Sequence, residues 1–150
     1  MAGDTQLANT AWEALFRAQM TVAQELTAGD AWGDMVPSEY GVLYALSTAK
    51  AGLRMSELSK DVLLSQAGLS RLVARLEAKG WIARRVDPDD ARASLLTLSK
   101  EGAHVQRRVG ARHGRQVAEA MLSRLDDDEL VALKALCERM LAAGAKEQAE

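Results

Sequence analysis

The order of short apolar stripes between residues 55 and 98 restricts the fold of this chain more than any other feature. "MSELSKDV" sets Met55, Leu58 and Val62 on one side of a short helix, and "LLSQAGLSRLVARLEAKG" follows with almost no linker. In that second segment Ser65 carries the side chain an N-cap needs. Leu69, Leu72, Val73 and Leu76 recur at helical spacing, and Gly80 suits the left-handed residue that ends a helix. This is the spacing of a helix-turn-helix, whose second helix is the one offered to a groove. "WIARRV" and "RASLLTL" come next, separated by "DPDDA", so a hairpin follows the second helix as a wing.

The flanks predict helices. Residues 5–27 place Leu7, Ala11, Leu15, Ala18, Val22 and Leu26 on one stripe and Trp12, Phe16, Met20 and Ala23 on another beside it. So wide an apolar face can pack on its own domain and on a partner chain together. "TAGDAWGDMVP" breaks the pattern, and Pro37 suits the first turn of a second helix with Tyr40, Leu43, Tyr44 and Ser47 along one side. Ser99 is placed to cap a long helix from about 100 to 124. Asp126 with Glu129 forms a capping-box-like start to a last helix carrying Leu130, Leu133, Leu136, Cys137, Met140 and Leu141. The final "AAGAKEQAE" has the look of a fraying tail. The expected fold class is mainly α with a small β-wing: a winged helix-turn-helix over 36–99 and a helical dimerisation region from 1–35 and 100–150.

Charge sharpens the reading. The net formal charge is −2, but residues 66–115 hold 11 Lys/Arg against 5 Asp/Glu, while residues 1–65 hold 4 against 8. A basic block between acidic ones is the footprint expected of a surface that meets a polyanion, although a solvated helix face has the same composition.

Helix geometry turns Gln66, Ala67, Ser70, Arg71, Ala74 and Arg75 outward from the leucine stripe. Gln66 can contact adenine N6/N7 and Ala67 a thymine methyl. Arg71 can reach guanine or clamp a phosphate, Ser65 and Ser70 suit phosphate or base, and Arg75 suits a phosphate or an ion pair with Glu77. Gly68 costs about 1 kcal/mol of helix propensity relative to alanine, and its bare backbone could approach DNA closely. In the wing, Asp87 and Pro88 enter the turn and Asp89 sits at its tip. Asp90, two residues before Arg92, is expected to hold that guanidinium in a fixed fork, ready for a narrow minor groove.

The stretch "SQAGLSRLVARLEAKGWIARRVDPDDARASLLTLSKEG", with "MSELS" before it and the flanking helices around it, resembles the MarR-type winged-helix regulators over nearly the whole chain. The resemblance implies a homodimer joined through the first and last two helices, bound to a pseudo-palindromic double-stranded DNA operator and usually repressing a nearby gene. It implies a role for the wing Asp90 and Arg92, with Arg85 on the preceding strand among the DNA candidates. It further implies that a small aromatic or phenolic ligand can release the DNA. Trp12, Phe16, Tyr40 and Tyr44 lie on the helices that would wall its cleft, where aromatics at helical spacing also suit plain core. Leu63 departs from the pattern, standing where many helix-turn-helix turns carry glycine.

Other chemistry finds no residues. His104 and His113 are too few and wrongly spaced for zinc, and no nucleophile, base and orienter come together, so neither a metal, a cofactor nor catalysis is expected. Cys137 lies on the apolar stripe of the last helix, where a packing role outweighs a redox one. Gly110 and Gly114 suggest a close helix crossing. With one cysteine and no long apolar span, the chain is expected to be cytoplasmic, at the nucleoid and away from membranes.

Overall fold

The computed structural model describes residues 2–62 and 64–147, so Leu63 and the last three residues of the tail lie outside it. Six helices and one hairpin follow in order: α1 Ala2–Ala28, α2 Pro37–Thr48, α3 Met55–Asp61, α4 Gln66–Ala78, β1 Ile82–Asp87, β2 Asp90–Leu98, α5 Lys100–Leu122 and α6 Asp127–Glu147. They divide into two compact units. One takes α1 up to Val22 and the chain from Arg115 onward; the other runs from Ala23 to Gly114.

The second unit contains the core. Val42, Leu43 and Leu46 of α2, Leu58 of α3, the four stripe residues of α4, Ile82, Leu96, and Val105 and Val109 of α5 are buried together. Removing a side chain such as Leu43 or Leu76, both fully buried, would cost about 2–5 kcal/mol, because the lost transfer energy is joined by an unfilled cavity. β1 and β2 pair antiparallel around the two-residue turn Pro88-Asp89, with Ile82 opposite Leu98 and Asp87 opposite Asp90. Leu53 adds a short third rung by exchanging backbone hydrogen bonds with Leu96 at 3.0 and 2.8 Å. The hairpin is thereby tied to the segment that leads into α3.

The helix ends follow from local chemistry. Pro37 opens α2, and Glu39 returns its carboxylate to the Val36 amide at 3.2 Å. Gly80, at φ +74°, ends α4 in the left-handed region open to glycine, and its amide closes on Glu77 O. The next residue is fixed at once. Trp81 O accepts the Ser99 amide at 3.0 Å, and the first turn of α5 comes so close that a Cβ on Gly102 would sit 2.0 Å from that same oxygen. Ser99 caps α5 through the Gly102 amide at 2.9 Å.

In the other unit α6 starts with the reciprocal pair expected: Asp126 Oδ1 accepts the Glu129 amide and Glu129 Oε2 accepts the Asp126 amide, at 2.9 and 3.0 Å. Asp127, Asp128 and Glu129 then lie at the positive end of the helix dipole. The helix runs on to Glu147, through most of the tail whose composition suggested fraying. Part of this unit's apolar surface is left uncovered: Trp12, Phe16 and Leu7 on α1 and Val131, Leu136, Met140 and Leu141 on α6 are exposed, Trp12 by 62%. Among the described residues no helix is long and apolar enough to cross a membrane.

Candidate nucleic-acid interface

The second helix of the pair is divided by burial along the line that its sequence spacing predicts. Leu69, Leu72, Val73 and Leu76 are buried, while Gln66, Ala67, Ser70, Arg71, Ala74 and Arg75 are exposed. Ser65 caps this helix by accepting the Gly68 amide at 3.1 Å. Here Gly68 has a local reason to be glycine: a Cβ would press on the capping Oγ at 3.0 Å. By their place in the first turn the amides of Gln66 and Ala67 lack an intrahelical acceptor, which suits them to phosphate.

Arg71 and Arg75 differ in their surroundings. Among the described residues no carboxylate pairs with Arg71, which leaves its guanidinium to solvent or ligand. Arg75 Nε lies 3.0 Å from Glu39 Oε1, and Lys79 Nζ reaches the same oxygen at 2.9 Å. Glu39 is a buried acid, its side chain only 3% exposed. Burial alone would raise its pKa. The hydrogen bonds from Lys79 and the Val36 amide, with the charges of Lys79 and Arg75, more than offset that and hold it below its ordinary value. Glu77, the alternative ion-pair partner for Arg75, is taken instead by Arg84 of β1, at 2.7 and 3.2 Å. The sequence offered no signal for the Glu39 pairing, since Lys79 stands 40 residues away.

The wing corrects one expectation. Asp90 does not fork the Arg92 guanidinium; its Oδ1 accepts the Arg92 backbone amide at 3.0 Å. Two residues apart, a short carboxylate reaches the near amide more easily than the far end of an extended arginine, so it makes an Asx turn. The Arg92 side chain is exposed on the hairpin. The carboxylate that does hold a guanidinium is Asp87. Its Oδ2 lies 2.6 Å from both Nε and Nη2 of Arg54, while Oδ1 accepts the Asp89 amide at 2.9 Å. That amide and the Arg54 charge hold Asp87 below the usual carboxylate range against the opposing effect of burial. Arg54 was not legible as a site residue. Its backbone amide donates to Glu57 Oε2 at 2.7 Å at the start of α3, and its side chain braces the wing. Arg85, on β1 itself, braces it as well, donating to the Ala51 carbonyl before α3.

The four aromatics expected to wall a cleft fall into two pairs. Trp12 and Phe16 lie together on α1, ring centres 6.1 Å apart, and both are exposed. Tyr40 and Tyr44 lie 6.0 Å apart on α2, Tyr44 exposed and Tyr40 half-buried. Tyr40 also meets Trp32 and His113, at 5.6 and 5.3 Å, and its hydroxyl fits against Gly110, where a Cβ would stand 3.0 Å away. His113 packs 4.7 Å from Trp32, its Nδ1 buried without a hydrogen-bond partner, and burial lowers its pKa.

A capped helix with a polar outer face, backed by leucines and followed by a braced basic hairpin, defines a winged helix-turn-helix DNA-binding protein. The MarR family model matches residues 34–93, which span α2 through the start of β2. The multiple antibiotic resistance protein MarR of Salmonella typhimurium is 29% identical over 108 residues, 72% of this chain and 74% of that protein. Among solved structures, Sco3205 of Streptomyces coelicolor, a MarR family regulator in complex with DNA, superposes with a TM-score of 0.74 at 30% identity, covering 91% of this chain and 86% of that one. PcaV of the same organism, solved with its natural ligand, gives 0.60 at 30% identity over 92% and 91%. The chain belongs to the MarR family of transcriptional regulators.

Proposed function

We propose that the protein is a homodimeric repressor that binds a pseudo-palindromic operator and is released by a small aromatic effector. Gln66, Ala67, Ser70 and Arg71 read base edges in the major groove, and Ser65 with the Gly68 turn holds phosphate. Arg92 enters the minor groove from a wing positioned by Asp90, Arg85 and the Arg54–Asp87 pair. Arg75 serves α4 through Glu39 and reaches phosphate only at the expense of that pairing.

The observation that carries the reading is the outer face of α4. Its polar side chains are exposed and its cap is satisfied, so the helix backbone is formed before binding and only those side chains remain to be ordered. The exposed apolar residues of α1 and α6 support a second copy as partner, since a face of that size on a lone chain would be costly in water. A dimer of this kind sets two recognition helices about 34 Å apart, one duplex turn. The test is selection of genomic fragments with the purified protein, followed by footprinting and sizing of the complex. Two protected half-sites one turn apart, with two chains per duplex, are expected. A single half-site bound by a monomer would contradict the dimer, and no enrichment over random DNA would contradict the reading itself.

A further inference from the structure

Glu39 gathers two cations on one oxygen. Lys79 Nζ reaches Oε1 at 2.9 Å and Arg75 Nε lies 3.0 Å from the same atom, while Oε2 accepts the Val36 amide. A single cation neutralises a carboxylate, so the group holds one positive charge in excess. The two cations are not equivalent. Lys79 donates a hydrogen bond to Glu39, its side chain is 33% exposed against 56% for Arg75, and its ammonium also stands 4.6 Å over the Trp81 ring. Arg75 acts on Glu39 through its charge and lies on the exposed face of α4, one turn beyond Arg71. An acid only 3% exposed needs one of them at all times, because a buried carboxylate left without a partner is strongly disfavoured. With Lys79 in place Arg75 can leave; without Lys79 its departure strands the acid.

We propose that Lys79 is a positioning residue for DNA binding: it stays on Glu39 as the counter-ion that frees Arg75 to turn onto a phosphate of the duplex. The proposal rests on the reading above in which Arg75 reaches phosphate by giving up Glu39, and it assigns the residue that makes the exchange possible. The buried carboxylate thus stands in for phosphate on the free protein, holding Arg75 until the duplex offers the real one. Lys79 acts on DNA through Arg75 and makes no contact of its own.

Anisotropy titrations of a labelled duplex carrying the selected operator, over about 50–200 mM salt, test it with four variants: Arg75→Ala, Lys79→Met, Lys79→Met with Glu39→Gln, and that pair with Arg75→Ala added. None of the four leaves the buried acid alone. Arg75→Ala is expected to weaken binding about five- to tenfold at 0.1 M salt and to lower the salt slope by about one, as the loss of one phosphate contact does. Lys79→Met should do the same, since Arg75 is then locked on Glu39. Adding Glu39→Gln should restore wild-type affinity and slope or better, a regain that loss of fold does not produce, and adding Arg75→Ala should abolish the regain. Lys79→Met that binds as wild type does, that stays weak after Glu39→Gln as a direct phosphate contact would, or whose regain survives Arg75→Ala would overturn the proposal. Arg75→Ala with an unchanged salt slope would remove the phosphate contact of Arg75 itself, and the role of Lys79 with it.

Discussion

Asp87 and Arg54 meet across 33 residues of sequence, the carboxylate only 5% exposed and the guanidinium 40%. The pair joins the turn end of the wing, where Asp87 closes β1, to the start of α3, so the hairpin is held by the same arginine whose backbone opens the helix-turn-helix. Its asymmetry gives a first prediction. Arg54→Ala strands a buried acid, whereas Asp87→Ala leaves an arginine that water can still reach, so the first should lower the melting temperature more. A double-mutant cycle checks it: the double variant should fall short of the sum of the singles. Strict additivity would mean the pair does not act as a unit.

Asp90 gives a sharper test of how the wing works. Because it accepts the Arg92 amide, Asp90→Asn keeps the acceptor and should bind operator as wild type does, while Asp90→Ala loosens the turn and weakens binding several-fold. Arg92→Ala should weaken it further and reduce the steepness of the salt dependence. Equal loss in Asp90→Asn and Asp90→Ala, measured by fluorescence anisotropy, would restore a charge-based role for Asp90.

Glu39 links α2 to the recognition helix, and its depressed pKa fixes the sign of a pH effect. A carboxylate with a folded-state pKa below its unfolded one contributes stability that is complete above the unfolded value, about 4.3, and is lost as pH falls through the folded one. Glu39→Gln should therefore cost about 1 kcal/mol at neutral pH, with the partly exposed partners limiting the loss. The gap to wild type should close in acid below the ordinary carboxylate range. A gap that persists unchanged to low pH would contradict this.

His113 behaves in the matching way at higher pH. Burial disfavours its charged form, so the unfolded chain takes up a proton first and stability falls as pH drops below about 6.5. Because Nδ1 is buried without a partner, His113→Phe should melt no lower than wild type at pH 7.5 and should show less loss on acidification to pH 5.5. Melting curves at the two pH values decide it; an equal slope in the variant would assign the proton elsewhere.

Much of this fold was legible because it rests on local rules. The leucine spacing of α4, the Ser65 and Ser99 caps, the Asp126 and Glu129 exchange and the left-handed Gly80 are each contained within a few residues. What could not be read joins distant segments: Arg54 to Asp87, Lys79 and Arg75 to Glu39, Arg85 to Ala51, and Trp32 to His113. No periodicity marks such pairs, since each depends on how separate elements pack against one another. The Asp90 expectation erred on a local competition instead: the sequence showed an acid near an arginine, and the arginine's own backbone amide was the nearer donor.

The central claim is that the outer face of α4 reads sequence. Anisotropy titrations of the selected operator and a scrambled duplex, over 50–200 mM salt, with wild type, Gln66→Ala and Arg71→Ala, test it most directly. Wild type should prefer the operator, and Gln66→Ala should lose about 1–3 kcal/mol on it while leaving the scrambled duplex unchanged. Arg71→Ala should weaken binding as well, lowering the salt slope if its contact is to phosphate. Variants that bind operator and scrambled DNA as wild type does would place the reading surface elsewhere on the protein.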